Sequence, residues 1–414
     1  MNKSRNVLLS ALIRKRRKEL NWKQESLING IPISVSYYSE IERGNRAIPS
    51  DLLNSLLEKL QLPLLSDIWY ADFSNKINLL KKYLYYCKHN EINKVYCELD
   101  KEKKLLNNSL LFLEYNLAMF MYESSYIHKV VKERTELLEE YSNFLSEEQL
   151  YIYKLYKGIL EKHMHHPEIA LISFKELLKT NVKFRYYTEL LYYHTAICYI
   201  QKGYFVLAQE MNKEAEILFL KEHNLYRLAY TMMHECIIYT QENHYEKAET
   251  IYDNLLDDCY NLSSRALNTI LCNAGINSIK AQHYRKAIDY YKKLKPDWQQ
   301  IPEIFYGISL ALLQMEDNEG LDHFIEYSKG FPKNKFIDDV ISIIDLQRKP
   351  ECNRELEAKL KACEKYLQHQ GDAEGLIFVY EQLIQYYETR SIVKQVKYLK
   401  KLNELNKRGM QYEQ

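Results

Sequence analysis

The side chains with the most chemical potential are histidines and cysteines, and their spacing decides what they can do. His163-x-His165-His166 puts three imidazoles within four residues, the raw material of a metal site. Pro167 follows at once, so the cluster sits at a helix end, where imidazolium is favoured by the helix dipole. No Cys or carboxylate spacing completes a tetrahedral set around it, so neither a metal nor a cofactor is expected. His234-Glu235 lacks the second histidine of an HExxH zinc peptidase, and GxSxG, Walker and GxGxxG motifs are absent. No catalytic residue is assigned, and the chain is not expected to be an enzyme. The eight cysteines (Cys87, Cys97, Cys198, Cys236, Cys259, Cys272, Cys352 and Cys363) form no CxxC pair and mostly fall in apolar helical patterns. That usage reads as buried, reduced thiols of a cytoplasmic protein rather than a disulfide framework or a zinc cage.

The elements that carry these residues follow from composition. Only 11 Gly and 8 Pro occur in 414 residues, too few for the turns of a many-stranded or loop-rich fold. With 46% apolar residues and 37 Tyr there is ample material for a core, so an all-α protein is expected. Lys and Arg number 57 against 56 Asp and Glu, but residues 1–65 hold 11 of the bases and 6 of the acids, leaving 46 against 50. A small basic head on a mildly acidic body directs any polyanion to the head. Val7–Ile13 is apolar but too short to span a bilayer, and its basic residues follow rather than precede it. Neither export nor a membrane partner is expected.

Within residues 1–65 the spacing predicts four helices: Leu8–Leu20, Gln24–Asn29, a segment capped by Ser34 and running to Arg43, and Ser50–Leu60. Asn21 with Gln24 suits a capping box, Gly30-Ile31-Pro32 breaks the chain, and Gly44-Asn45 closes the third helix. Gln24-Glu25-Ser26-Leu27, followed by Ile33-Ser34-Val35-Ser36-Tyr37-Tyr38-Ser39-Glu40-Ile41-Glu42-Arg43-Gly44, resembles the helix-turn-helix domain of phage-repressor (Cro/C1, or XRE) type over about residues 8–63. The resemblance implies a third helix in the major groove of double-stranded DNA. It carries base reading to Val35, Ser36, Tyr37 and Glu40, with Val35 suited to a thymine methyl and Glu40 to cytosine N4. It gives phosphate contacts to Lys23, Gln24, Arg43 and Arg46, and to members of the run Arg14–Lys18, Arg14 among them. A solvated face is the alternative reading of that run. Glu42 is expected to partner a first-helix arginine, and Tyr38 and Ile41 to be core. Ile28 stands where the family usually has a small Ala and Pro32 where it has Gly, and the larger side chain at 28 would alter the angle between helices two and three.

Beyond a linker at 66–75, the body (76–414) repeats. Small residues recur at Ala170, Ala208, Ala248, Ala287 and Gly320, separated by 38, 40, 39 and 33 residues. Twelve residues before each stands a partner: Gly158, Ala196, Cys236, Gly275 and Ile308, the last beside Gly307. Small residues at paired places let two helices approach closely, as a stack of helical hairpins requires. The pattern resembles the tetratricopeptide repeat, best at Asn273-Ala274-Gly275 with Tyr284-Arg285-Lys286-Ala287-Ile288-Asp289-Tyr290-Tyr291. Residues 76–145 and 351–410 are expected to add hairpins or caps, with breaks at Gly330–Lys335 and Lys349–Asn353.

A tetratricopeptide-like, right-handed solenoid presents the first helix of each hairpin to a concave groove. The groove position two residues before the small residue falls at Tyr156, His194, His234, Asn273 and Tyr306, with Tyr193, Tyr230, Met233, Thr269, Cys272 and Phe305 adjacent. Such a lining of amides, imidazoles and aromatics suits a short, partly hydrophobic peptide. The abundance of Tyr leaves a core role open for the aromatic members, and the histidines also read as satisfied core residues. Head and body together resemble the RRNPP family of peptide-sensing transcription regulators. That resemblance implies a cytoplasmic homodimer whose DNA binding is switched by a short signalling peptide, with Asn273 holding the peptide backbone. A repeat-type adaptor that docks a protein partner is the alternative.

Overall fold

The computed structural model describes residues 3–130, 132–180, 182–257, 262–299, 301–332, 334–370 and 373–412. Cys259, expected as a buried thiol, lies outside them. Among the described residues the regular structure is helical, with no strand. The chain forms two compact units, residues 1–194 and 195–414.

The first unit opens with α1 (Lys3–Glu19), α2 (Gln24–Ile28), α3 (Val35–Glu42) and α4 (Ser50–Lys59). Leu12, Ile13, Leu27, Tyr38, Ile41 and Leu56 close one core among them. Ser34 caps α3 by accepting the Tyr37 N–H at 3.2 Å, and Gly44 ends it with φ 77°, a left-handed conformation that glycine adopts at no steric cost. No capping box precedes α2: its N-cap is Lys23, without a side-chain bond, while Asn21 takes φ 55° just past α1.

The segment 66–75 is helix rather than linker. Ser66 accepts the Trp69 N–H at 3.2 Å to start α5 (Asp67–Tyr85), and Phe73 is buried. There follow α6 (His89–Lys101), α7 (Lys103–Asn107), α8 (Phe112–Tyr122), α9 (Lys132–Glu140), α10 (Glu147–His163), α11 (Pro167–Leu178) and α12 (Tyr187–Gln201), within which the units divide. Phe112, Leu113 and Tyr141 join the same core as the head, so the head and these helices bury one another.

In the second unit come α13 (Phe205–Lys221), α14 (Leu225–Gln241), α15 (Tyr245–Leu256), α16 (Ser264–Lys280), α17 (Tyr284–Lys292), α18 (Pro296–Gln299), α19 (Pro302–Gln314), α20 (Asn318–Ser328), α21 (Lys335–Gln347), α22 (Asn353–Gln370), α23 (Ala373–Glu388) and α24 (Ile392–Tyr412). Helices α14 to α17 and α19 to α24 pack as consecutive hairpins. The small residues do what their spacing predicts. A Cβ on Gly275 would lie 2.3 Å from Cε1 of Tyr291, and one on Gly158 would lie 2.4 Å from Cε1 of Phe174. Each ring sits sixteen positions after its glycine, and the same offset from Ala196, Cys236 and Ile308 gives Asn212, Tyr252 and Phe324. Asn212, the polar exception, donates from Nδ2 to Thr231 O at 2.8 Å.

The hairpin turns explain how so few glycines suffice. Residues His165, Gly203, Asn243, Gln282 and Glu316 all have φ between 54° and 71°. The next N–H in each case bonds a carbonyl five residues back, as His283 N to Ser278 O at 2.8 Å, satisfying helix-end acceptors in the Schellman manner. Between hairpins, Asn277 accepts from Thr240 Oγ1 at 2.8 Å and donates to Tyr245 O at 3.1 Å. Of the described cysteines none is in a disulfide; Cys198, Cys236, Cys272 and Cys363 are buried as expected, whereas Cys97 is exposed because it falls on the outer side of α6.

Candidate functional site

In the head, one carboxylate sets the geometry. Glu42, at the end of α3 and 3% exposed, accepts from Arg17 Nε at 2.6 Å and Nη2 at 2.9 Å, from Gln24 Nε2 at 2.8 Å and from Tyr38 Oη at 2.5 Å. Arg17 also donates from Nη1 to Trp22 O at 2.6 Å. Burial acts to raise the Glu42 pKa, but the bonds from Arg17, Tyr38 and Gln24 outweigh it and hold the carboxyl below its usual range. The phenol of Tyr38 is pushed far up, by burial first and the neighbouring carboxylate second. Helices α1, α2 and α3 are thereby fixed at a buried, charged node.

What remains outward is the start of α3. Val35 and Ser36 are exposed and Tyr37 half-buried, with the Arg46 guanidinium 4.7 Å over the Tyr37 ring. Lys23 is exposed with no partner among the described residues. Arg43 and Asn45 donate to Glu40 at 2.9 and 3.1 Å, so the carboxylate expected to read cytosine already has two donors. Gln24 is likewise committed, to Glu42, which accounts for its half-buried position at the head of α2.

Every member of the run Arg14–Lys18 has a partner within the protein, although Lys18 stays exposed. Arg14 lies 4.0 Å from Glu140 and 5.7 Å from the Tyr141 ring, and Lys18 bonds the same Glu140. Lys15, 4% exposed, donates to Glu19 at 2.6 Å and to Asn107 O at 2.8 Å; burial pulls its pKa down and Glu19 only partly restores it. Arg16 donates to Leu60 O and Glu19, both at 3.1 Å. The basic side of α1 thus meets carbonyls and carboxylates from α7, α9 and the residue after α4.

The body residues assigned to peptide binding divide by burial. In the first unit, Tyr156, Tyr193 and His194 are buried, with the Tyr193 and His194 rings 5.0 Å apart, edge to face. In the second, His234 is buried too, while Tyr230, Thr269 and Asn273 are half-buried. Asn273 on α16 contacts α14 through Nδ2 to Met233 Sδ at 3.5 Å. Tyr226, which spacing alone did not select, donates its hydroxyl to that of Tyr230 at 3.5 Å. Thr269 spends its hydroxyl on Arg265 O at 3.0 Å. Tyr306 does not stand open: Gln382 Nε2 donates to its hydroxyl at 2.8 Å and the Phe378 ring packs 4.1 Å away, both from α23. Burial pushes its phenol far up. Asn273 on α16 and Tyr226 and Tyr230 on α14 are all half-buried.

The histidine cluster terminates α10 as Pro167 predicts. His166 Nδ1 lies 3.1 Å from Glu161, the His163 ring is 4.0 Å from that of His128, and among the described residues no three His, Cys, Asp or Glu side chains are placed to hold a metal ion.

These elements define a class: a helix-turn-helix head followed by helical-hairpin repeats. Comparison with known proteins agrees on both parts. Residues 13–65 match the helix-turn-helix family model HTH_3. No curated protein matches the chain in sequence. Among solved structures, the chain is similar to the apo form of the quorum sensor NprR from B. thuringiensis, with 18% identity and a TM-score of 0.61 over 81% of this chain and 99% of that one. It is similar to apo RapI, with 13% identity and a TM-score of 0.63 over 82% and 99%. NprR in complex with its cognate peptide NprX matches with 17% identity and a TM-score of 0.50 over 81% and 99%. The fold is that of these helical-repeat proteins, and no described helix is long and apolar enough to cross a membrane.

Proposed function

We propose that this chain is a cytoplasmic transcription regulator that reads double-stranded DNA through α3 and is switched by a short signalling peptide on the first-helix side of its repeats. The observation that carries the reading is an open α3 N-terminus, Val35 and Ser36, held rigidly by the Glu42 node in a chain whose fold is that of NprR. NprR has been solved with its cognate peptide, which supports a peptide as ligand here, with Asn273 holding its backbone. A homodimer would place two α3 helices on half-sites about one DNA turn, or a multiple, apart. Peptide then acts by population shift: moving the equilibrium from 1:99 to 99:1 takes about 5.5 kcal/mol of differential affinity. Lys23, Arg43 and Arg46 are the head's phosphate ligands.

A second reading, an adaptor that docks a protein partner, is favoured by one observation: the richest basic run of the head is spent inside the protein. Titrating full-length protein into duplex DNA across a salt series separates the two. The regulator binds with a log–log salt slope of about −0.9 per phosphate contacted, and Arg46→Ala lowers it by about 1 per head. The adaptor leaves duplex DNA unbound and co-purifies with a stoichiometric protein. Against peptides encoded by short reading frames beside the gene, Asn273→Ala is expected to weaken calorimetric affinity at least tenfold without shifting thermal unfolding; unchanged affinity removes Asn273 from the site.

A further inference from the structure

A second concave feature lies further along the repeats, past α16. Between α19, α21, α22 and α23 is a cleft of about 330 Å³. Its apolar wall is leucine, with Leu310 and Leu313 from α19 and Leu346 and Leu356 across from them. Its polar wall is amide: Gln314, Gln347, Gln382 and Gln385. Two cations stand on its rim, Lys349 and Arg390, and no Asp or Glu lines it.

Arg390 is the informative residue. Its guanidinium donates from Nη1 to Tyr386 O at 2.7 Å and from Nη2 to Asn353 Oδ1 at 2.8 Å, and it rests 4.4 Å over the Tyr386 ring. Every one of those partners is neutral. A planar cation held in place by a carbonyl, an amide and a ring has its orientation fixed in advance while its charge stays unanswered, which is what a bidentate carboxylate site requires. Lys349 beside it has no ion-pair partner among the described residues. Elsewhere in these repeats Arg348 meets Asp322 at 2.6 Å, Lys359 meets Asp339 at 2.8 Å and Lys401 meets Glu364 at 2.5 Å. The glutamines supply the complement for an amide: Gln347 Nε2 is used on Gln382 Oε1 at 2.6 Å, whereas Gln314 and Gln385 are exposed with no bond of their own among the described residues.

We propose that this cleft binds a carboxylate-bearing ligand with an amide next to an apolar group, the size of an N-acyl amino acid or of the last residue of a peptide. The carboxylate goes to Arg390 and Lys349, the amide to Gln314 and Gln385, and the apolar group to Leu310, Leu313 and Leu356. None of these residues belongs to the first-helix positions assigned to the signalling peptide, so the inference stands whether or not that assignment holds.

Calorimetry on the full-length protein with N-acetyl-leucine and its neutral analogue N-acetyl-leucinamide tests it. The acid is expected to bind at least tenfold more tightly than the amide, and less tightly as salt rises. Arg390→Gln should weaken the acid at least tenfold and leave the amide where it was. Because Arg390 also ties α23 to Asn353, Lys349→Gln provides a second variant whose side chain holds nothing in place; it should weaken the acid several-fold with thermal unfolding unchanged. Asn273→Ala should have no effect, which separates this cleft from the peptide site. N-acetyl-trileucine distinguishes the sources: binding equal to that of N-acetyl-leucine assigns a peptide end, and exclusion assigns a free small carboxylate, each upholding the site. Equal affinity for acid and amide, no heat from the acid at millimolar concentration, or wild-type affinity in both Arg390→Gln and Lys349→Gln overturns it.

Discussion

Glu42 takes four hydrogen bonds from three side chains inside the head, and its ionisation is therefore coupled to folding. Its folded pKa lies below the unfolded value, so its contribution is complete above that value, about 4.3, and is lost as pH falls through the depressed folded pKa. Thermal unfolding of wild type should accordingly show an acid-sensitive head transition below about pH 4.5. Glu42→Gln leaves Arg17 buried without its anion and should cost about 3–5 kcal/mol while flattening that acid dependence; a variant with unchanged melting at neutral pH contradicts the node. Sequence made this pair legible, because the helix-turn-helix pattern itself brings the ends of α1 and α3 together. It did not make Arg14, Lys15 or Lys18 legible. Their partners are 92 to 126 residues further along, and nothing local to a string of bases tells a phosphate ligand from a cation aimed at a distant carbonyl or carboxylate. The partner of Tyr306 was hidden for the same reason: Gln382 is 76 residues away.

At the scale of elements, the hairpins rest on contacts no larger side chain fits. Gly275→Ala would gain about 1 kcal/mol of helix propensity, yet its Cβ would stand 2.3 Å from the ring of Tyr291, which is 1% exposed and has nowhere to go. Overpacking of this kind costs about 1–3 kcal/mol or more, so denaturant unfolding should show a net loss. Gly330→Ala, whose Cβ meets only Tyr327 O at 3.5 Å, should show none. Equal stability of the two variants would refute the close approach of α16 and α17. The small-residue series was readable because close packing leaves a mark at each place it occurs. The rings sixteen positions on were equally periodic but hidden by the abundance of Tyr, 37 in all. The helix over 66–75 was missed because Ser66 and Phe73, its cap and its anchor, lie in a stretch with no repeat signature.

On the scale of the whole molecule, the proposed function joins DNA reading in the head to ligand sensing in the body. The head shares its core with Phe112, Leu113 and Tyr141, so it is anchored to the helices that follow it rather than swinging on a tether. Its cations are divided between that anchorage and the outer face, where Lys23, Arg43 and Arg46 remain. Under the proposed function, specificity rests on the exposed start of α3 and on the pairing of two heads in a homodimer. Selection of bound sequences from a random duplex pool by the full-length protein tests this most directly. The account predicts enrichment of an inverted repeat whose half-site centres lie about 10–10.5 base pairs apart, or a multiple, with Ser36→Ala and Tyr37→Ala altering the enriched bases. A pool that emerges without any enriched sequence would contradict it.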